Sequence, residues 1–482
     1  MSKRLKNYPD PMDVVNEYGA DALRLYLVNS PVVRAETLRF RVEGVKDVVK
    51  DVLLPWYHAC RFLVQEVIRC EVSSGRKFTP CLASDLLDRA NNMDRWILSA
   101  SQSLVKFVHQ EMQAYRLYTV IPRLIHFLGQ LTNWYVRLNR DRMRGAMGEE
   151  EALVSLQTLY DVLMTTVLCM APLTPYMSEL LYQTLKRALP DGHPLKAETV
   201  HFLMVPDLNE ELLDSTLERQ MGRMQTVINL GRTMRERQRV PVKTPVRSVT
   251  VLHADPEYVC DIQTLEAYVK EELNTIDLEV SDDKSSVILS AVPNFKALGS
   301  RLGKDMKAVQ EAVKNLSHED LEKFEIDGKI VLLDGKHELG REDLLLQRTF
   351  KGDDKKQKGD ANTNLVVEGD NSVAVLIDFT PDDSLQRKAT AREVANRVQK
   401  LRKQYRLQQT DEVEMIAHSP DVELQDLIQA ESSYITKCLR RDLHIRNELP
   451  TSNGVCEGRQ AICHESVDIN GKPLIIVFHK LN

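Results

Sequence analysis

The chain contains no run of 18 apolar residues, no Cys-x-x-Cys pair and few aromatic side chains, at 6% with 3 tryptophans in 482 residues. The first absence leaves no segment that reads as a membrane-spanning helix. The N-terminus has no apolar core of the signal-peptide type. The eight cysteines are scattered, so free thiols in a reducing cytosol are expected rather than a zinc site. His109, His126, His193 and His201 fall at no metal-ligand spacing. No GxSxG, P-loop or Rossmann glycine pattern occurs. An excess of positive charge is missing too: the net charge is −6 and the pI about 6.1. A nucleic-acid surface would therefore have to be a local cluster of cations.

The periodicity that is present is mostly helical. Residues 1–50 read as loop, helix and loop, with Pro11 just ahead of a helix through Val14, Tyr18, Ala22 and Leu25. Residues 51–215 read as a helical bundle. Leu53, Tyr57, Cys60 and Val64 share one face; Leu124, Leu128, Leu131, Tyr135 and Leu138 form one stripe; Leu156 to Met170 form another. Glu149, Glu150 and Glu151 suit a helix N-terminus, and Pro172 and Pro175 should stop or kink the helix that follows. From residue 216 strands enter. A basic helix is predicted over Met221–Gln238, strands over Val246–His253, Ile276–Val280 and Val287–Val292, and a helix over Leu298–Leu316. Residues 351–371 read as a linker or loop. Residues 372–482 read as a second α+β module with strands over Val373–Phe379 and Val413–His418, a long basic helix over Leu385–Gln404, and a closing hairpin around Asn470-Gly471. The fold class expected is an α-helical bundle followed by α+β modules. An echo joins the modules: Val227, Asn229, Met234, Arg235 and Arg239 match Val394, Asn396, Leu401, Arg402 and Arg406 at one offset, which suggests a duplicated helix–strand unit.

Several segments carry a family likeness. Met1-Ser2-Lys3-Arg4 resembles the KMSKS loop of class I aminoacyl-tRNA synthetases without its first lysine. Tyr18-Gly19-Ala20-Asp21-Ala22-Leu23-Arg24 resembles the helix after that loop in the isoleucine, valine and leucine enzymes. Asn133-Trp134-Tyr135-Val136-Arg137-Leu138-Asn139-Arg140 and Ala171-Pro172-Leu173-Thr174-Pro175-Tyr176-Met177-Ser178-Glu179 resemble segments of their anticodon-binding domain. Pro293–Gly299 and Ala391–Gln399 are similar to isoleucyl-tRNA synthetases of the eukaryotic cytosolic type.

The resemblance implies an all-helical anticodon-binding domain, isoleucine tRNA as partner and a cytosolic location. It implies that the HIGH-containing catalytic domain and the editing domain are not within these residues, so this chain alone is expected to be inactive. ATP and magnesium would serve the complete enzyme, with none bound here. Lys3, beside Ser2, would meet ATP phosphates, where developing charge needs a positioned cation. Trp134, Arg137, Arg140, Arg142 and Arg144 are the first RNA candidates: arginine grips phosphates and an aromatic ring stacks on unpaired bases. Arg235 and Arg239, then Arg402 and Arg406, are the second and third. Other synthetases of a multi-synthetase complex are further candidate partners, while membrane and DNA are not expected. Two alternatives stay open: a non-catalytic RNA-binding or scaffold protein built from synthetase sequence, and a fragment of a valyl or leucyl enzyme.

Overall fold

Two contiguous units divide the chain in this computed structural model, Met1–Met221 and Gly222–Asn482. The structure describes all residues except 1–9, 254, 282–286, 303–304, 334–335, 351–363, 370–372, 381, 406, 408–410, 412, 447–454, 457–458 and 481–482.

The first unit is helical. Asp10 accepts from Met12 N and Pro11 opens α1 (Pro11–Tyr18). Gly19, at φ 88, turns the chain into α2 (Ala20–Val28). The next helix, α3 (Val42–Val48), passes through a π-helical turn, Val49–Leu53, into α4 (Leu54–Ser74). A capping box between Asn91 and Asp94 starts α5 (Asn92–Gln113). There follow α6 (Leu117–Gln130), a π-helical turn Leu131–Val136, and the single turn α7 (Arg140–Met143). Gly148 and three glutamates open α8 (Glu149–Met170), where the negative charges meet free N–H groups. This is the one described helix long and apolar enough to cross a membrane, and 83% of its apolar window is buried inside the protein, so it is the central helix of the bundle. Thr174 and Pro175 stop the chain and begin α9 (Pro175–Leu185).

The stripe expected on α4 is rotated. Trp56, Ala59, Cys60 and Leu63 are buried, whereas Tyr57 is 39% exposed. Cys60 was common to both readings; the bulk of Trp56 decides which side of it faces inward.

Helix α10 (Ser215–Arg237) leads into the second unit. There β1 (Val246–Leu252), α11 (Pro256–Thr264), α12 (Glu266–Leu273) and β2 (Thr275–Ser281) follow. Next come β3 (Val287–Pro293), α13 (Phe295–Leu302), α14 (Met306–Lys314), α15 (His318–Asp327), β4 (Lys329–Leu332), β5 (His337–Gly340) and β6 (Leu344–Phe350). Strands β3 and β6 pair, β4 and β5 pair, and Leu298, Val309, Val313, Leu321, Phe324 and Leu339 form a separate core there. The single helix expected over Leu298–Leu316 is two, α13 and α14, with Gly303, a poor helix former, in the sequence between them. Strand β7 (Leu365–Gly369) lies inside the stretch read as a linker, and residues 351–363 of that stretch are outside the described ones. Then come β8 (Ala374–Asp378), α16 (Asp383–Gln404), β9 (Val413–His418), α17 (Val422–Ala430), α18 (Ser432–Leu439), β10 (Leu443–Ile445), β11 (Val455–Cys456), β12 (Arg459–Ile469) and β13 (Lys472–Lys480). Asn470 and Gly471, at φ 54 and 84, make the closing hairpin turn between β12 and β13.

The sheet orders are β2-β1-β8-β7 and β10-β9-β13-β12-β11. In both, a first strand pairs parallel with the strand after two short helices and antiparallel with one strand of a later hairpin. Strand β8, expected in the second module, thus belongs to the first sheet. The capping repeats as well. Asn274 and Arg440, both left-handed, end α12 and α18; Val240 N and Leu407 N return to Arg235 O and Arg402 O at the ends of α10 and α16.

One close approach holds the first module together. A Cβ on Gly231 of α10 would lie 2.6 Å from Leu273 Cδ2 of α12. Gly231→Val should therefore cost about 1–3 kcal/mol by overpacking, read as a lower urea midpoint with an unchanged slope.

Candidate nucleic-acid interface

The segment that follows α6 is held from beneath by one buried carboxylate. Asp94, at the third position of α5, accepts from Asn91 N (3.2 Å) while Asn91 caps Asp94 N (2.9 Å). Tyr135 hydroxyl donates to Asp94 Oδ1 at 2.7 Å, and Arg142 Nη1 donates to Asp94 Oδ2 at 2.7 Å. Arg142 Nε donates to Glu151 Oε2 at 2.7 Å. Asn139 Nδ2 donates to Tyr135 O at 3.0 Å, closing the chain where the helix breaks. Burial and then the Asp94 charge hold the Tyr135 phenol well above its usual range, so it remains a donor. Burial works against the Arg142 charge, but Asp94 and Glu151 outweigh it and keep the guanidinium protonated.

Arg142 is therefore a scaffold residue and not an RNA contact: it is 3% exposed with its charge already paired. Charge count and spacing could not distinguish it from its neighbours. Arg137, Arg140 and Arg144 are exposed. They do not lie on one regular helix, because the π-helical turn Leu131–Val136 and the break at Asn139 intervene. Such wide turns inside helices often occur at functional sites. The Arg140 guanidinium sits 5.8 Å from the Phe62 ring centre, and Arg144 Nε is 3.5 Å from Glu66 Oε1. Trp134 is half-buried, between the core and stacking roles.

The other candidates separate in the same way. Arg235 is 1% exposed and donates to Thr244 O (2.8 Å), Pro241 O (3.1 Å) and Leu273 O (2.5 Å). It collects carbonyls from the turn after α10 and the end of α12 and is no phosphate site; burial lowers its pKa to about 10. Arg239 is exposed at the end of α10 with φ 57. Arg402 is half-buried, and desolvation, with Arg441 adding to it, lowers its pKa. Arg406, Ser2 and Lys3 lie outside the described residues. Arg232 and Arg237, on the same helix as Arg235, are ion-paired with Glu272 and Glu368.

A second joint links segments far apart in the sequence. Buried Asp21 accepts from Met177 N at 2.7 Å, capping α9 from another helix, and Arg24 donates to Pro172 O and Leu173 O, each at 3.1 Å. Two of the motifs noted above thus meet, α2 with the turn before α9. Only spatial proximity shows this; the Asn91-x-x-Asp94 capping spacing, by contrast, was open to reading. Among the described residues no three His, Cys, Asp or Glu side chains cluster as metal ligands.

Residues 94–251 match the family model described as the anticodon-binding domain of tRNA ligase, and residues 1–39 match that of class I tRNA synthetases (I, L, M and V). The chain is 44% identical to the cytoplasmic isoleucine–tRNA ligase of Mus musculus, over 100% of this chain and 37% of that protein. The identity is 46% to the Arabidopsis thaliana enzyme, over 87% and 34%, and 40% to that of Saccharomyces cerevisiae, over 92% and 41%. The chain thus spans about two fifths or less of the length of these curated relatives.

Removing one partner of the buried pair leaves the other charge uncompensated. Arg142→Ala should cost about 3–5 kcal/mol, while Arg142→Met with Asp94→Asn should recover part of that loss. Urea unfolding followed by helical circular dichroism checks both.

Proposed function

Because this chain belongs to the isoleucine–tRNA ligases among the class I tRNA synthetases, we propose that it is the portion that grips isoleucine tRNA through its anticodon arm, in the cytoplasm named in its relatives' descriptions. The observation that carries this reading is the exposed row Arg137, Arg140 and Arg144 on a segment fixed from below by Asp94, within the anticodon-binding match. Cations on a rigid base suit phosphates, and half-buried Trp134 beside them suits an unstacked base. The whole reaction would join isoleucine to tRNA with ATP, through an isoleucyl-adenylate. Magnesium would arrive with ATP, and no residues of this chain are assigned to it. Lys3 and Ser2 would serve the ATP phosphates. Gripping the tRNA contributes orientation rather than bond-making. Other synthetases remain candidate partners.

The matching strand order supports a second reading: residues 222–281 with 365–378, and residues 383–480, are two copies of one module. Residues 282–364 then occupy the place that residues 446–458 fill in the second copy. Exchanging 282–364 for a linker as long as 446–458 should leave hydrogen-exchange protection at Val249 and Val251 intact; loss of protection there would reject the two-copy reading.

For the first reading, filter binding of isoleucine tRNA should show affinity falling linearly with salt on logarithmic axes. Arg137→Gln, Arg140→Gln and Arg144→Gln together should flatten that slope by about 2–3 without lowering the melting temperature, since exposed ion pairs contribute little. An unchanged slope would remove these arginines from the RNA surface.

The 482-residue polypeptide by itself should give no isoleucine-dependent ATP–pyrophosphate exchange. Specific exchange by the purified chain would overturn its assignment to tRNA gripping alone.

A further inference from the structure

The outer face of α4 is turned the wrong way for a bundle helix. Its inner face is filled by Trp56, Cys60 and Leu63, yet the outer one leaves Leu54, Tyr57 and Ile68 44%, 39% and 55% exposed. His58, Arg61 and Gln65 are exposed with them. These positions recur at three- and four-residue intervals, so they make one stripe along the helix. Singly exposed apolar side chains are ordinary, but here they share one face with exposed His58, Arg61 and Gln65.

The charge on this stripe has one sign. From Leu54 to Arg69 the only carboxylate is Glu66, which is 8% exposed and closed off by Arg69 at 2.6 Å and Arg144 at 3.5 Å. Arg61 makes no ion pair among the described residues. Tyr57 and His58 lie edge to face at 5.6 Å, presenting rings beside that cation. The stripe also borders the arginine row directly. Arg140 lies over Phe62 of α4, and Arg69 Nη2 donates to Met143 O at 2.8 Å. Helix α4 packs against the π-helical turn Leu131–Val136.

We propose that the Tyr57–His58–Arg61–Gln65 face of α4 is a second wall of the RNA surface, with Arg61 on a phosphate and the Tyr57 ring stacked on an unpaired base. The inference rests on the tRNA-gripping reading above. Rings beside a cation are the chemistry of looped or single-stranded RNA, and the lack of exposed carboxylates from Leu54 to Arg69 makes a basic protein partner a poor fit there.

The test is filter binding of the full chain to an isoleucine tRNA transcript and to a hairpin of its anticodon arm. Arg61→Gln should weaken both and reduce the salt slope by about 1. Tyr57→Ala should weaken binding by about five- to a hundredfold with the slope unchanged, and Tyr57→Phe should restore it. All variants should melt with the wild type, since both side chains point outward. Wild-type affinity and slope in Arg61→Gln and Tyr57→Ala, with the Arg137, Arg140 and Arg144 variant still weakened, would overturn the α4 wall alone and assign the stripe to a protein partner. Failure of the wild type to bind either RNA would overturn the wall together with the tRNA reading.

Discussion

The first unit depends on a carboxylate that is completely withdrawn from water. Asp94 satisfies the start of α5, the phenol of Tyr135 and the guanidinium of Arg142 at once. A buried charge is tolerated only when its lone pairs are filled, and here three donors from three parts of the chain fill them. The arrangement fixes the segment that departs from regular helix after Leu131. That departure directs Arg137 and Arg140 outward while Tyr135 and Arg142 go inward, although all four lie within eight residues. The surface chemistry is thus set by a polar knot below it.

The helical bundle and most strands could be read from periodicity, because each buries one face and repeats its apolar residues accordingly. Glu149 to Glu151 mark the start of α8, and Pro172 and Pro175 lie just past its end at Met170, for simple reasons of charge and missing N–H. Less could be read of the candidate surface. Arginine is the residue for which sequence says least about depth, since its long stem reaches either water or a buried carboxylate. Arg142 and Arg235 share the composition of their neighbours and differ only in what lies beneath them. Tyr57 differs from its sequence expectation for a related reason: an aromatic at helical spacing looks like core until Trp56 beside it takes the inner side.

The two sheets of the second unit show how far a repeat survives drift in its side chains. Gly231 in α10 corresponds by offset to Val398 in α16, and Arg235, buried among carbonyls, to half-buried Arg402. What persists is the backbone solution: a parallel strand pair, left-handed residues closing the short helices, and a hairpin returning antiparallel. Backbone groups must be paired wherever they are buried, so that pattern outlasts the identity of the residues that carry it.

The interrupted sheet also sets an order of events at the ribosome. Strands β1 and β2 emerge early, but β8, which must pair with β1, follows only after residues 282–364 have been made. Until then one side of β1 stays open, an edge that invites wrong pairing. The segment between has its own core around Leu298, Val309 and Leu339 and can collapse while the edge waits. Elongation at about 5–20 residues per second makes that wait several seconds long, far beyond the microseconds in which a hairpin forms. The second sheet, with β9 and β13 separated by a shorter stretch, waits for less time. Slow synthesis therefore bears hardest on the half of the unit that begins first.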